Sequence, residues 1–468
     1  MSDQPTKKTV LPRVPMTERA AEQRVRDFGE VPRGYAAEEA IAEARRCLQC
    51  KKPVCISGCP VAINIPKFIA EIAAGDVRAA YETIFEANTL PSTCGRVCPQ
   101  EVQCEVACVL ARKYDPIAIG ALERFVGDWA AENVPRRRTS NPAKLGAVAV
   151  VGAGPAGLTA AADLRRFGYH VVLFEALHEA GGVLTYGIPE FRLPRAILKE
   201  ELGRLTDTGV EIVPNHVIGR VLTIDELLAE FGAVFLATGA GLPHFMGVPG
   251  EMALGVFSAN EFLCRVNLLY AYRFPEFPTP VKVGKRVAVI GAGNTAMDAA
   301  RCSKRLPGVR EVTIVYRRSR TEMPARAAEI EHAEQEGVRL ELLQAPTRVL
   351  TNQEGWVTGL EIIKMELGEP DDSGRRRPVP IQGSEFVMPL DTVIIAVGQA
   401  ANPLISQTTP GLKTGRNNVV VVESETLMSS RPGVFAGGDV ITGGTTVIEA
   451  MGHGRKAASA IHAYLCRK

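Results

Sequence analysis

Residues 147–176, AVAVVGAGPAGLTAAADLRRFGYHVVLFEA, decide the fold of this 468-residue chain. The segment predicts a strand, a glycine turn, an Ala-rich helix and a second strand, which together form the βαβ unit of a doubly wound α/β fold. The turn is a complete G-x-G-x-x-G, whose glycines let the backbone approach a pyrophosphate at the helix N-terminus. An acid ends the second strand, where it can bind ribose hydroxyls. The segment therefore predicts a dinucleotide site made by Gly152, Gly154, Pro155, Ala156, Gly157 and Glu175.

The same pattern returns at residues 286–316, RVAVIGAGNTAMDAARCSKRLPGVREVTIVY, which indicates an internal duplication and two Rossmann-like domains. The second strand of this copy ends in Arg317-Arg318, with Arg320 close behind, and lacks the acid. Arginines there accommodate the 2′-phosphate of NADP, which favours NADP(H) over NAD(H). A solvated charge cluster is the alternative, but it leaves the missing acid unexplained. The predicted binding residues are Gly291, Gly293, Asn294, Thr295, Ala296, Arg317 and Arg318.

A third element near the C-terminus, VFAGGDVITGGTTVIEAMGHGRKAASAI (434–461), favours FAD at the first of these sites. Asp439 follows a predicted strand, where its carboxylate can bind ribityl or pyrophosphate groups. A helix is predicted to begin around residues 445–447, which include Thr446 and Val447, and its N-terminus can stabilise negative charge on a reduced flavin ring. Such an element, closing over the first βαβ unit, fits FAD better than a second NAD.

Eight of the 11 cysteines lie between Cys47 and Cys108. They form two groups with uneven spacing, C-x2-C-x4-C-x3-C-P and C-x3-C-P-x4-C-x3-C. Eight thiolates are the number that two four-cysteine iron–sulfur clusters need, and a last Cys followed by Pro ends the bacterial ferredoxin motif, in which that Cys ligates the other cluster. We therefore expect ligation to cross between the groups. Two structural zinc sites are the rival interpretation, although zinc usually takes matched C-x2-C pairs; disulfides are the third.

Composition and charge exclude several classes of protein. Hydrophobic residues make up 46% and charged residues 23% of the chain, which is ordinary for a globular protein and excludes global disorder or coiled coil. Since the net charge is only +2, we expect neither nucleic acid nor an anionic membrane as a partner. No apolar run approaches the roughly 20 residues that span a bilayer, and the polar N-terminus predicts no secretory signal. We therefore expect a cytoplasmic protein.

Together these features resemble the small (beta) subunit of NADPH-dependent glutamate synthase over nearly the whole chain. The segments GGVLTYGIPEFRLP (181–194), VFLATGA (234–240) and RRSRTEMPA (317–325) also look like signatures of that family. The same module recurs in the N-terminal half of dihydropyrimidine dehydrogenase, in the large subunit of NADH-dependent ferredoxin:NADP oxidoreductase and in sulfide dehydrogenase subunits. The resemblance implies a helical domain over 1–140 with two [4Fe-4S] clusters, an FAD-binding domain over 145–275 and 391–468, and an NADPH-binding domain inserted over 281–390.

The resemblance also implies roles for individual residues. Gly182 would lie against the flavin and Glu322 near the nicotinamide, and no catalytic nucleophile is expected because the cofactors carry the chemistry. One cluster would be held by Cys47, Cys50, Cys55 and Cys108, and the other by Cys59, Cys94, Cys98 and Cys104.

The resulting hypothesis is a subunit that passes electrons from NADPH through FAD and the clusters to a partner chain in a hetero-oligomer. The family's glutaminase uses an N-terminal cysteine, whereas this chain has Ser2, so the partner would be the large glutamate synthase chain with its glutaminase and FMN sites. The alternatives are the large subunit of the ferredoxin:NADP oxidoreductase, whose partner is a smaller flavoprotein, and a sulfide dehydrogenase subunit. A zinc-containing redox sensor or scaffold is the alternative outside the enzymes.

Overall fold

The computed structural model describes residues 12–138, 143–371 and 374–467. Residues 1–11, with Ser2 and most of the polar N-terminus, lie outside the described residues, as do 139–142, 372–373 and 468. The chain has the predicted α/β architecture, in which a helical N-terminal domain precedes two Rossmann-like domains and the second of these is inserted in the first.

The N-terminal domain consists of short helices packed around apolar side chains. The sequence IPKFIAEIA shows why they form, since its apolar residues at i, i+3, i+4 and i+7 make one buried face. The helix is followed by a turn, in which Gly75 has φ +84°, and Asp76 caps the next helix by accepting from Ala79 N–H at 2.9 Å. The helices are α1 (Ala21–Arg24), α2 (Ala37–Ala44), α3 (Val54–Ser57), α4 (Ile65–Ala73), α5 (Val77–Phe85), α6 (Pro91–Val97) and α7 (Ile119–Asn133), with 3₁₀ turns at Gln100–Val102 and Val109–Arg112.

The first Rossmann-like domain is built on a five-stranded parallel sheet in the order β16-β4-β1-β2-β3. Four of these strands come before the inserted domain, and the fifth returns after it. Helices α8 and α17 pack on one face of the sheet together with the N-terminal domain. The elements are β1 (Ala147–Val151), α8 (Pro155–Phe167), β2 (His170–Phe174), α9 (Val183–Tyr186), α10 (Arg195–Asp207), β3 (Glu211–Val213), α11 (Ile224–Glu230), β4 (Ala233–Leu236), α15 (Leu404–Thr408), β16 (Val434–Ala436), α16 (Asp439–Thr442) and α17 (Val447–Leu465).

The second domain has its own five-stranded parallel sheet in the order β6-β14-β7-β8-β9, and an antiparallel meander covers one of its faces. Within this meander, β11 and β12 are antiparallel neighbours, with Pro370 opposite Arg376. Strands β5 and β15 form a short antiparallel pair where the chain passes into the inserted domain and back out of it. The elements are β5 (Leu242–Pro243), β6 (Val256–Ser258), α12 (Ala259–Leu263), β7 (Arg286–Ile290), α13 (Asn294–Arg305), β8 (Glu311–Tyr316), α14 (Ala327–Gln335), β9 (Arg339–Leu342), β10 (Gln344–Thr351), β11 (Val357–Pro370), β12 (Arg376–Pro380), β13 (Phe386–Pro389), β14 (Thr392–Ile395) and β15 (Gln399–Ala400).

The limits of the inserted domain differ from the predicted 281–390. Strand β14 was predicted to belong to the first domain, but it pairs with β6 and β7 in the second sheet. The Asp391 carboxylate, just before β14, pairs with Arg286 at the start of β7 at 2.8 Å and holds this register. The inserted sheet therefore begins at Val256 and ends at Ile395.

The segment before α2 also differs from expectation, since it is more than a polar lead-in. Phe28 and Val31 are buried in the core of the second domain, where they pack near Phe191. Arg24 is fully buried and pairs with Glu336, which follows α14, at 2.9 Å. The segment therefore ties the N-terminal region to the inserted domain. Among the described residues, no helix combines the length and the apolar character needed to cross a bilayer.

Candidate redox-cofactor sites

The first glycine turn connects β1 to α8 and leaves one face of its backbone open. Gly152 has φ +105°, and a side chain there would overlap the carbonyl of Ala237. A side chain at Gly157 would overlap the Gly152 carbonyl, whereas a Cβ at Gly154 would meet nothing within 4 Å. The turn is thus closed toward the protein and open at Gly154, where α8 begins with Pro155. A pyrophosphate placed there would face the N-terminus of α8.

Two further residues predicted for this site lie beside the turn. Glu175 follows β2, and its carboxylate accepts from the N–H groups of Ala153 and Leu177, both at 2.8 Å. Glu175 therefore anchors the turn itself as well as standing where a ribose would lie. Gly182 has φ +55°, and its Cβ would stand 2.8 Å from the Gly154 Cα, so residues 181–182 lie directly on the open turn.

The C-terminal element closes over the same turn. Gly438 packs against Ala156, since a Cβ added there would lie 3.1 Å from the Ala156 Cβ. The next residue, Asp439, accepts from Thr445 N–H at 2.9 Å, and burial raises the pKa of its carboxyl to about 6. Thr446 caps α17 and Val447 is its first residue, within the range predicted for the start of this helix. The free N–H groups of a 19-residue helix therefore begin beside Asp439.

Two buried polar atoms at this site lack a hydrogen-bond partner among the described residues. One is the Thr238 hydroxyl, which follows β4 next to Gly152, and the other is the side-chain oxygen of Asn267. Asn267 uses its NH₂ group to bind the carbonyls of Tyr186 at 3.2 Å and Gly187 at 3.1 Å. Sequence reasoning noted the ATG at the end of β4 but gave no signal for Asn267. An open turn, a helix N-terminus and unsatisfied polar atoms fit a flavin dinucleotide.

The second glycine turn repeats this geometry between β7 and α13. Gly291 has φ +129° and faces the Ala396 carbonyl, and Gly293 is open except for Pro324, whose ring would lie 3.9 Å from an added Cβ. Ala296 is fully buried at the position that corresponds to Gly157, and Thr295 is exposed. The Asn294 side chain accepts from the backbone N–H of Arg326 at 3.0 Å. The turn therefore offers its open side near residues 322–326.

The three arginines after β8 have different surroundings. Arg317 is exposed and has no side-chain partner among the described residues. Arg318 is buried, pairs with Asp371 of the meander and donates to the Arg376 carbonyl at 2.8 Å. Arg320 forms a two-point ion pair with Glu334 on α14, at 2.6 and 2.7 Å. The sequence predicted that Arg317 and Arg318 both bind the 2′-phosphate. Of the three arginines, only Arg317 has a side chain without a partner among the described residues.

Glu322 lies close to this turn but has a local structural partner. Its carboxylate accepts from the Ser319 hydroxyl at 2.5 Å and from the Ser319 N–H at 3.2 Å, which caps a 3₁₀ turn. These hydrogen bonds lower the pKa of Glu322. A stably ionised carboxylate that caps a turn is suited to positioning residues 322–326 and not to exchanging protons.

The eight clustered thiols separate into two sets in space, and each set draws on both sequence groups. The first set shares one cavity, whose other walls include Ile65, Ile69 and Leu110. Burial raises the pKa of Cys104 and the neighbours Cys59 and Cys98 add to the rise, so these thiols share a second location. The first set is Cys47, Cys50, Cys55 and Cys108; the second is Cys59, Cys94, Cys98 and Cys104.

The two thiol sets differ in depth. In the second set, Cys94 and Cys98 are buried, whereas every member of the first set is partly exposed. Burial raises the pKa of Cys55 and Cys59 to about 11, so binding a cation must compensate the cost of forming thiolates there. Among the described residues, no three Cys, His, Asp or Glu side chains converge on a site for one metal ion. The remaining cysteines, Cys264, Cys302 and Cys466, lie outside both sets.

Several residues that sequence reasoning missed connect the second thiol set to the nucleotide sites. The Cys94 Sγ lies 3.5 Å from the Met451 Sδ in α17, and the Gln103 amide donates to the Thr446 hydroxyl at 3.1 Å. Arg326, beside the second glycine turn, donates to the Arg96 carbonyl and the Gln100 side chain, both at 3.0 Å. These are ordinary polar and apolar residues, so nothing in their local sequence marks the contacts.

Comparisons with known proteins agree with this arrangement. Residues 146–454 match the family model described as pyridine nucleotide-disulphide oxidoreductase, and residues 24–134 match the one described as dihydropyrimidine dehydrogenase domain II, 4Fe-4S cluster. Among solved structures, FprA from Mycobacterium tuberculosis in complex with NADPH has a TM-score of 0.57 and 21% identity, and the match covers 69% of this chain and 85% of FprA. At that identity the likeness shows the fold.

Similar sequences extend the comparison to the whole chain. The chain is 41% identical over 435 residues to the NADP(+)-dependent formate dehydrogenase subunit beta of Moorella thermoacetica, which covers 88% of this chain and 60% of that relative. It is 37% identical over 459 residues to the glutamate synthase [NADPH] small chain of Azospirillum brasilense, which covers 97% of this chain and 94% of that relative. Because that match runs through the thiol domain and both nucleotide domains, the chain belongs to the family of glutamate synthase small chains and is an NADPH-dependent oxidoreductase.

Proposed function

We propose that this chain is the NADPH-oxidising subunit of a hetero-oligomeric electron-transfer complex. When bound, FAD would accept a hydride from NADPH and two [4Fe-4S] clusters would carry its electrons singly to a partner. The first glycine turn and the α17 N-terminus would hold FAD, and the second glycine turn with Arg317 would hold NADPH. Each thiol set would hold one cluster.

The observation that carries this proposal is the position of α17 between the first glycine turn and the second thiol set. Its N-terminus begins beside Asp439, which lies over that turn, and Met451 in its second turn contacts Cys94. A side chain at Gly452 would press on the Pro60 carbonyl at 2.9 Å, so the thiol domain and the helix are in direct contact. One rigid element thus links the proposed flavin site to the buried thiols.

The order of the two thiol sets follows from their depth. The second set is packed against α17, whereas the first set reaches the surface. Electrons from a flavin at the first glycine turn would therefore pass to the second thiol set. From there they would reach the first thiol set, which is the one at the surface, and leave the protein. This order requires no proton transfer by a side chain, in keeping with the fully committed Glu322.

The partner we propose is a large glutamate synthase chain that holds glutaminase and FMN sites. The match to small chains over almost their whole length supports this choice. The relative from Moorella is named for a formate dehydrogenase, so the module itself does not restrict the acceptor. Co-purification from the native cell separates the outcomes: a very large amidotransferase chain supports the proposal, and a smaller flavoprotein or a formate dehydrogenase chain contradicts the choice of partner.

The electron path is tested by purifying the chain without oxygen and measuring FAD, iron and labile sulfide. We expect eight iron and eight sulfide per FAD, as two [4Fe-4S] clusters require, and bleaching of the visible spectrum when NADPH is added. Zinc in place of iron, or no bleaching by NADPH, contradicts the proposal.

Cys104→Ser provides a sharper test with a matched control. Removing one thiolate from the second set should release about half of the iron, because each cluster needs four ligands, and should leave FAD bound. Cys264→Ser removes a half-buried thiol outside both sets and should change neither quantity. Equal iron loss in the two variants would show that the thiol sets are wrongly assigned.

A further inference from the structure

We propose that the surface around the first thiol set docks an electron acceptor protein that presents carboxylates around an apolar redox edge. This inference rests on the proposed function, because it assumes that electrons leave from the first set. It concerns a surface that we call the cysteine face, which is defined by the exposed apolar residues Leu48, Val54, Val102, Val106, Val109 and Tyr114.

Three of the six apolar residues of the cysteine face lie at the mouth of the first thiol cavity. Leu48, Val54 and Val109 line the same cavity as Cys47, Cys50, Cys55 and Cys108. Val102 and Val106 are 69% and 58% exposed and stand on the neighbouring segment, which packs against Gly58 at the end of α3. A group of apolar side chains this exposed around a redox site is typical of an interaction surface.

The rim of the cysteine face is basic. Five cationic side chains are exposed there and have no ion pair or hydrogen bond with any described residue: Arg45, Lys51, Lys52, Arg112 and Lys113. Asp115 is the exposed acid of the same segment, while Glu105 nearby is buried and paired with Arg13 at 2.8 Å. In a chain with a net charge of only +2, such a group is a local concentration of positive charge.

Charge complementarity therefore selects an acidic partner. Unpaired rim charges raise the rate of encounter with an oppositely charged protein and orient it, while apolar contacts at the centre exclude water. An acceptor with carboxylates around an exposed cofactor edge would bring that edge to the first thiol set. A basic acceptor of similar size would be repelled from the same surface.

The test uses two haem proteins of opposite charge as probes. Cytochrome b5 is acidic around its haem edge and cytochrome c is basic, and each haem iron takes one electron as Fe(III) becomes Fe(II). One NADPH, oxidised to NADP⁺ and H⁺, therefore reduces two cytochrome molecules. The bleaching of the visible spectrum by NADPH, which involves no acceptor protein, serves as the control reaction.

Two variants reverse charge on the rim, Lys51→Glu/Lys52→Glu and Arg112→Glu/Lys113→Glu. Each should raise the KM for cytochrome b5 about tenfold, because electrostatic steering accelerates encounter by at least that factor, and should leave the bleaching by NADPH unchanged. The matched control is Lys285→Glu/Arg310→Glu, which makes the same charge change at two exposed positions beside the amino ends of β7 and β8. It should not change the KM for cytochrome b5.

Other outcomes separate the docking inference from the function that it assumes. If NADPH fails to bleach the clusters of the unmodified protein, the proposed function fails. If bleaching is normal but the rim variants behave as the control does, or if cytochrome c is the better acceptor, the docking inference alone is overturned. Should both rim variants lose iron, the salt dependence of the unmodified protein decides: a KM for cytochrome b5 that does not rise with ionic strength overturns the inference.

Discussion

The two glycine turns share one backbone design and differ at two positions, the third small residue of the turn and the residue that follows the next strand. Both turns have a left-handed first glycine held against a strand-end carbonyl and an open second glycine. The third small residue is Gly157 in the first turn and Ala296 in the second, and the following strand ends in Glu175 or in Arg317. The first turn is thus built more tightly and anchored by its own acid, while the second leaves an arginine exposed at the corresponding place. A duplicated unit can therefore take two dinucleotides through a few substitutions.

The largest effect that this comparison predicts comes from Gly157→Ala. The added methyl would overlap the Gly152 carbonyl, so either the turn must open or α8 must move. Overpacking of this kind costs about 1–3 kcal/mol of unfolding free energy, and a displaced turn should also lose its cofactor. Denaturant unfolding and the FAD content of the purified protein measure both effects. A variant with normal stability and full FAD would show that the tight first turn has no role in binding.

The arginines at the second site should separate stability from specificity. Arg318→Ala removes a buried charge-assisted pair with Asp371 and should lower the unfolding free energy by about 2 kcal/mol, with little effect on the preference for NADPH. Arg317→Ala should leave stability unchanged and reduce the ratio of kcat/KM for NADPH to that for NADH about tenfold, the value of one charge-assisted bond to the 2′-phosphate. If the two variants exchange these effects, Arg318 is the phosphate ligand.

These arginines show what the sequence could and could not predict. The strand–turn–helix succession and the start of a helix near residues 445–447 are local patterns, and each appears where it was expected. The burial of Arg318 depends on Asp371, which lies 53 residues away along the chain in the meander. Periodicity gives no information about such a pairing, because an arginine after a strand looks the same whether it is solvated or paired.

The predictions for strand β14 and for the N-terminal segment were wrong for a related reason. Strand β14 is buried throughout and apolar after Thr392, and a buried apolar strand does not indicate which of two parallel sheets it joins. Phe28 and Val31 stand in a polar context, so only the tertiary structure shows that they complete the core of the second domain. Cysteine spacing indicated eight thiolates for metal clusters, and only the family resemblance implied which thiols go together. The contact between Cys94 and Met451 had no signal in the sequence.

The first site should also respond to pH through Asp439, which has no counterpart at the second site. Burial raises the pKa of Asp439 to about 6, and a ribityl hydroxyl that donates to the carboxylate would favour its ionised form. FAD affinity should therefore fall by up to about tenfold per pH unit below this value. Fluorescence titrations of the apoprotein between about pH 5 and pH 8 would measure this dependence.

The stability of the apoprotein should change in the opposite direction. Because the folded-state pKa of Asp439 lies above its ordinary value of 3.8, the stability that the neutral carboxyl contributes is complete below that value and is lost as the pH rises through 6. Asp439→Asn should remove both pH dependences. A variant that keeps the same slope of FAD affinity would assign the titration to another group.

The smallest effect should come from Ala296→Gly, which gives the second turn the third glycine of the first. Ala296 is fully buried in the first turn of α13, so its methyl contributes packing, and glycine there costs about 1 kcal/mol of helix propensity. The second turn already accommodates a methyl, and removing it leaves Gly293 and Arg317 in place, so the KM for NADPH should not change. Gly157→Ala and Ala296→Gly are thus opposite exchanges at corresponding positions with unequal results. A large loss of NADPH binding in Ala296→Gly would mean that the methyl itself shapes the second site, and the two turns would then differ in mechanism as well as in tightness.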